Sequence, residues 1–248
     1  MRYKVKLAMF LALFLMSLIT WMIFNNQERI NQEYTDFGVN IPPSYPVLGV
    51  DVSHHQGDIN WGQLSVMEKN GDSIQFAFIK ATEGVSIKDV KLSRNVKGAR
   101  TNDLDCGLYH YFIPSSSAID QADFFVDETF NYNYSLLPVL DVEVDAGFSA
   151  KRLVDSVIVF MDRVEARTKE RPIIYTYFNF YETHFKDNRI ENEFIWIAKY
   201  SDDCPLMTEE NVLVWQFSEA GTVNGINGKV DLNLAKKGFL KKVRIKKR

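Results

Sequence analysis

The sequence predicts an α/β fold: an irregular β/α barrel of about eight strands with fewer helices in its second half. Short apolar runs recur along the chain, helical patterns fill the intervals between the early ones, and acidic side chains interrupt several runs near their C-terminal ends. The runs lie at about 47–53, 75–81, 107–112, 137–144, 172–177, 194–199, 212–217 and 229–232. Runs apolar on both faces suit strands that are covered on both sides. Helical stretches follow the first four, at Trp61 to Lys69, Val90 to Arg100, Ser117 to Phe130 and Ser149 to Thr168. Ser117 and Ser149 stand where a side-chain oxygen can accept an unpaired amide of a first helical turn. In the last of these stretches Leu153, Val157, Phe160, Met161 and Val164 share one face. Later intervals are too short for full crossover helices, and the direction of a late strand stays open.

A chain of 248 residues that is 46% hydrophobic can bury one sizeable core. That core is expected over 47–235, with three appendages. Arg2, Lys4 and Lys6 precede Leu7 to Phe24, a stretch without charge that is long enough to span a bilayer. Bulky residues follow it where a cleavage site would need small ones, so 1–24 reads as an uncleaved anchor, with secretion as the alternative if it is removed. The basic flank places the N-terminus in the cytoplasm and the rest outside. Residues 25–46 are polar and end in Pro42, Pro43 and Pro46, which suits an extended linker. Residues 236–248 carry eight basic residues and no acid. Setting these and the three N-terminal charges aside from the total of −3 leaves −14 for residues 7–235. So acidic a domain repels phosphates, and no nucleic-acid partner is expected. The basic tail suits either contact with an anionic surface or a solvated terminal helix.

The most informative stretch is Leu137 to Asp145, where Asp141 and Glu143 end an apolar run. Two strand positions apart, they lie on one face with Cα atoms roughly 6.5–7 Å from each other. Carboxyls that close can hold different protonation states, because charging one raises the pKa of the other. Glycosidic hydrolysis needs such a pair: an acid to protonate the leaving oxygen and a carboxylate to stabilise the developing cation. A strand end that has simply reached water is the competing reading. Asp51 stands in a matching context within Val47 to Gly57.

The run Gly49-Val-Asp-Val-Ser-His-His-Gln-Gly57, with Ile59-Asn-Trp61 after it, resembles the opening signature of the glycoside hydrolase family 25 lysozymes, the Chalaropsis-type muramidases. Further matches follow in the family's order: Ile79-Lys-Ala-Thr-Glu-Gly84, Gly107-Leu-Tyr-His-Tyr-Phe112, Pro138-Val-Leu-Asp-Val-Glu143, Pro172-Ile-Ile-Tyr-Thr176, Trp196-Ile-Ala-Lys-Tyr200, Val214-Trp-Gln-Phe217 and Gly228-Lys-Val-Asp-Leu-Asn233. The resemblance implies an irregular TIM-like barrel and a peptidoglycan hydrolase cleaving the β-1,4 bond between N-acetylmuramic acid and N-acetylglucosamine. It implies Glu143 as general acid, Asp141 as nucleophile or as the group that positions the substrate's acetamido oxygen, and Asp51 and Asp231 as further members of the acidic cluster.

Barrel geometry gathers working residues at the C-terminal ends of strands. Lys80, Tyr109, Tyr175 and Trp196 are therefore expected to bind substrate, the aromatic rings stacking on sugar faces. His54 and His55 lack metal-site spacing, His110 is expected to hold neighbouring groups in place, and neither metal nor cofactor is expected. Cys106 and Cys204 are expected to be free, on the argument that parallel strands would put them at opposite barrel ends. A monomer acting on peptidoglycan glycan strands is expected. A catalytically silent wall-binding module and a glycosidase acting on chitin-like N-acetylated polymers remain open as rivals.

Overall fold

The computed structural model describes residues 14–22, 42–69, 72–186, 189–190, 192–201, 204–206 and 208–245. The chain divides into two compact units, Met1–Asn40 and Ile41–Arg248. In the first, residues 14–22 are helical and exposed. The expected basic flank, half of the apolar stretch at 7–24 and most of the linker at 25–46 lie outside the described residues. Among the described residues no helix is long and apolar enough to cross a membrane.

The second unit is built on a closed ring of eight strands: β1 (Val47–Val52), β3 (Asp72–Glu83), β5 (Asp105–Tyr111), β6 (Val139–Asp141), β7 (Ile173–Tyr177), β8 (Ile195–Ala198), β9 (Val212–Gly221) and β10 (Val230–Ala235). Neighbours around the ring pair in parallel from β1 through β9. β10 closes it by running antiparallel to both β9 and β1, which settles the strand direction that the sequence leaves open. Two short strands, β2 (Glu68–Lys69) and β4 (Ile87–Lys88), pair with the ends of β3. Helices α1 (Trp61–Ser65), α2 (Leu92–Thr101), α3 (Ala118–Thr129) and α4 (Ala150–Thr168) cover the first half. Ser117 and Ser149 cap α3 and α4 by accepting the amides of Asp120 and Arg152. The five apolar residues expected on one face of α4 are buried, together with Val154. Between β7 and β8 the described residues form a helical turn at Phe178–Phe180 and a π turn at Tyr181–Phe185.

Inside the ring, alternation along β3 sends Phe76 and Phe78 into the core shared by Val139, Tyr175, Trp196 and Phe239. The neighbouring strands leave room by carrying glycine. A Cβ on Gly49 or Gly107 would lie 2.4 Å from the Phe76 or Phe78 ring respectively. Residues 236–245, part of the basic tail for which the sequence leaves an anionic-surface contact and a solvated terminal helix open, close the N-terminal opening of the ring. Helix α5 (Phe239–Val243) buries Phe239 and Val243, and Phe239 packs 5.1 Å from the Phe76 ring. Val243 O accepts the Leu137 amide at 2.8 Å, and Ser135 O accepts that of Ile245 at 2.9 Å. The basic residues thus ride on a segment held by apolar anchors that charge counting alone does not reveal.

Cys106 and Cys204 are both buried and free, but the expected reason does not hold. Cys204 lies beside Tyr45, whose hydroxyl donates to Val212 O at the start of β9. The loop after β8 therefore returns Cys204 to the N-terminal rim, the end where Cys106 also lies.

If α5 plugs the barrel, Phe239→Ala should cost about 3–5 kcal/mol, read as a lowered urea midpoint. A midpoint within error of the parent chain would show that the segment is dispensable.

Candidate active site

At the opposite rim the C-terminal strand ends form a hollow of about 170 Å³, walled by Asp51, Asp141, Glu143, Asp231 and several tyrosines. Register explains the convergence. Asp51 near the end of β1 sits opposite Asp231 at the start of β10, so the reversed strand delivers its early residue to the rim where the other strands finish. Asp141 ends β6 between Tyr111 and Tyr175. The turn carrying Glu143 is pinned to β7: Val142 N donates to Tyr175 O at 2.9 Å, and Thr176 Oγ1 to Val142 O at 2.7 Å.

Burial governs the electrostatics. It lifts the Asp51 carboxyl to about 6, although the amides of Asn233 and Gln216 favour its anion. Burial, then the charge of Asp51 and a hydrogen bond to it, lift Asp231 to about 8. Asp141 is pushed well above the usual range by burial and by the charges of Glu143 and Asp51. Burial raises Glu143 too, while hydrogen bonds from Tyr177 and Tyr111 and the charge of Lys80 pull it back. Four carboxyls in one sheltered hollow thus cannot all be ionised near neutrality. Asp141 Oδ1 is buried with no hydrogen-bond partner among the described residues.

The four acids expected from the sequence come together, with Tyr109 and Tyr175 in the same wall. Lys80 stands at the edge: its ammonium pairs with Glu83 at 2.6 Å and lies 5.2 Å over the Tyr111 ring. Trp196 borders the hollow from below but is only 2% exposed. Its ring stacks on Phe78 at 4.8 Å and meets Tyr175 edge-on at 4.6 Å, so it supports the wall and has no free face for a sugar. Exposed aromatic surface comes instead from Tyr177, at 38%, and Tyr200, at 43%.

Sequence reasoning passed over Tyr200, Gln216, Glu219 and Asn233. Tyr200 continues the alternation from Trp196 through Ala198, and Asn233 shares a face with Asp231; both were detectable by period-two counting. Gln216 stands in register with Asn233 and Ala198. A polar residue inside a buried strand was its signal.

His110 is held as expected. Thr82 Oγ1 lies 2.8 Å from its Nδ1 and Gln121 Oε1 lies 3.2 Å from its Nε2, and burial lowers its pKa to about 3, so the ring stays neutral. His54 Nδ1 meets Asp89 Oδ2 at 2.8 Å on the rim. Among the described residues no group of three or more His, Cys, Asp or Glu side chains is placed to hold a metal ion.

The family described as Glycosyl hydrolases family 25 matches residues 50–226. Similar relatives include the uncharacterized protein YegX of Escherichia coli O6:H1, 42% identical over 80% of this chain and 72% of its own length. Lysozyme M1 of Streptomyces globisporus is 32% identical, over 75% of this chain and 67% of its own. Among solved structures, the bacterial lysozyme from Streptomyces coelicolor superposes with a TM-score of 0.68 at 31% identity, covering 75% of this chain and 90% of that one. A family 25 glycosyl hydrolase from Bacillus anthracis gives 0.71 at 28%, covering 81% and 94%.

The folded chain binds the Asp231 proton more tightly than an unfolded one with a pKa of 3.8. The contribution of this group to stability therefore falls as pH rises from about 4 towards 8. Asp231→Asn removes the penalty, so its urea midpoint should exceed that of the parent chain at pH 8 and converge with it near pH 4. A difference independent of pH would contradict the shift.

Proposed function

We propose that this chain, which belongs to glycosyl hydrolase family 25, is a muramidase that cleaves the β-1,4 bond between N-acetylmuramic acid and N-acetylglucosamine in peptidoglycan. The observation that carries this reading is the pair of buried Asp141 and half-buried Glu143, both with raised proton affinity, facing one hollow with Asp51 and Asp231. The presence of lysozymes among similar proteins supports the choice of substrate.

Glu143 is the general acid. Half-buried, it keeps contact with the open side of the hollow, where a glycosidic oxygen can reach its proton. Asp141 lies deeper, and burial favours its protonated form when no substrate is bound. An acetamido N–H donated to its orphaned Oδ1 would stabilise the anion. The proton that the pair holds near neutrality then belongs to Glu143, the state in which an acid catalyst is competent. Asp141, once ionised, either attacks the anomeric carbon or steadies the acetamido oxygen as it does so. Tyr109 and Tyr175 shape the wall with hydroxyls whose protons burial retains. Tyr177 and Tyr200 present apolar ring surface to the sugar. The same reading places the barrel outside the cytoplasm, tethered by residues 1–24, with glycan strands as its partner.

Purified chain should clear a suspension of peptidoglycan and release fragments with N-acetylmuramic reducing ends on mass analysis. Release of no fragments would identify a binding module, and activity confined to chitin oligomers a different glycosidase. Glu143→Gln should lower turnover by about 10²- to 10⁴-fold with its thermal midpoint unchanged. Near-normal turnover in that variant would remove Glu143 from the acid role.

A further inference from the structure

We propose that Gln216 is a positioning residue that keeps Asp51 the ionised member of the Asp51–Asp231 pair, so that the proton they share rests on Asp231. Gln216 lies on β9 and is 2% exposed. Its Oε1 accepts the Tyr175 hydroxyl at 3.0 Å and the Tyr200 hydroxyl at 2.9 Å. With both phenols donating to that oxygen, only the amide N–H group is left to face Asp51, and Nε2 donates to Asp51 Oδ2 at 2.9 Å. Asn233 Nδ2 donates to the same oxygen at 2.7 Å. Two N–H donors occupy both lone pairs of Oδ2, leaving no place on it for a proton. The hydrogen bond between the two carboxyls needs one proton; N–H donors bind a carboxylate more strongly than a protonated carboxyl, so the two donors on Asp51 favour placing it on Asp231. Were the Gln216 amide reversed, two acceptors would face each other and Asp51 would have to be protonated. In the orientation found, both phenol protons meet the amide oxygen and the amide N–H group meets Asp51, which can then stay ionised.

The remaining titratable groups of the hollow cannot do this work. Tyr109 from β5, Asp141 and Glu143 from β6 and its following turn, and Glu219 from β9 are neutral or negative. Lys80 from β3 is the nearby cation, and it is paired with Glu83. Among the described residues, neutral amides therefore hold Asp51 ionised. The consequence is a fixed negative charge beside Asp141, which favours retention of a proton in the Asp141–Glu143 pair. That consequence rests on the glycosidase reading given above; the proton placement does not.

The test is carboxyl-carbon NMR of the full chain carrying ¹³C-labelled aspartate, titrated with pH and assigned with Asp51→Asn and Asp231→Asn. The lower of the two titration steps of the pair should belong to Asp51. In Gln216→Met the Asp51 step should rise by about one to two pH units, the worth of one charge-assisted hydrogen bond. Tyr200→Phe, at the half-exposed edge, should move it in the same direction by less. Asp231 carrying the lower step in the parent chain would overturn the proposal, as would an unmoved Asp51 in folded Gln216→Met. Should that variant fail to fold, an unmoved Asp51 in Tyr200→Phe overturns it equally. The acidic limb of the rate profile should follow the Asp51 step. A chain with this titration order that releases no glycan fragments would contradict the muramidase reading alone.

Discussion

The site depends on β10 running against its neighbours. Asp231 is the second residue of that six-residue strand, and Asp51 is its direct partner on β1. In a parallel β10 the same residue would start at the far opening, on the order of 15–20 Å away. Reversal brings an early residue to the rim where the other strands end, and Asn233 follows on the same face to hold Asp51. The closing strand of the barrel is thus also what completes the acid cluster.

Crowding carboxyls into a low-dielectric hollow works against folding, since each must keep a proton or find a donor. The molecule offsets this from both sides. Amides of Gln216 and Asn233 serve Asp51, hydroxyls of Tyr111 and Tyr177 serve Glu143, and the barrel beneath is filled with Phe76, Phe78, Trp196 and Phe239. Phe239 comes from beyond the last strand, so the aromatic packing below the acids is completed by the C-terminal segment. The rim is tuned for proton affinity, and packing at the opposite end supplies stability.

Much of this was legible in the residue pattern. Strand positions follow from apolar runs, helix starts from Ser117 and Ser149, and Asp51, Asp141 and Glu143 from carboxylates standing where a buried strand should have none, while Asp231 came from the family resemblance. The errors have physical sources. Trp196 reads as a sugar platform because a strand-end aromatic can face either way, and only the ring of Phe78 stacked against it decides. Over 236–248, read as a surface-contacting tail or a solvated terminal helix, the packing of Phe239 and Val243 was missed because eight charges outweigh two apolar anchors in any local count. Cys204 was placed by strand direction, although a loop of a dozen or so residues after β8 is long enough to cross the barrel's height. Gln216 carries no charge, and its importance lies in three partners drawn from three separate segments. No linear pattern announces such a contact.

The most direct measurement is a crystal structure of Glu143→Gln with a peptidoglycan fragment bound. The account places an acetamido N–H on Asp141 Oδ1 and the glycosidic oxygen within hydrogen-bonding distance of residue 143, with sugar faces against Tyr177 or Tyr200. A fragment seated away from Asp141, or bound outside the acid-lined hollow, would contradict it.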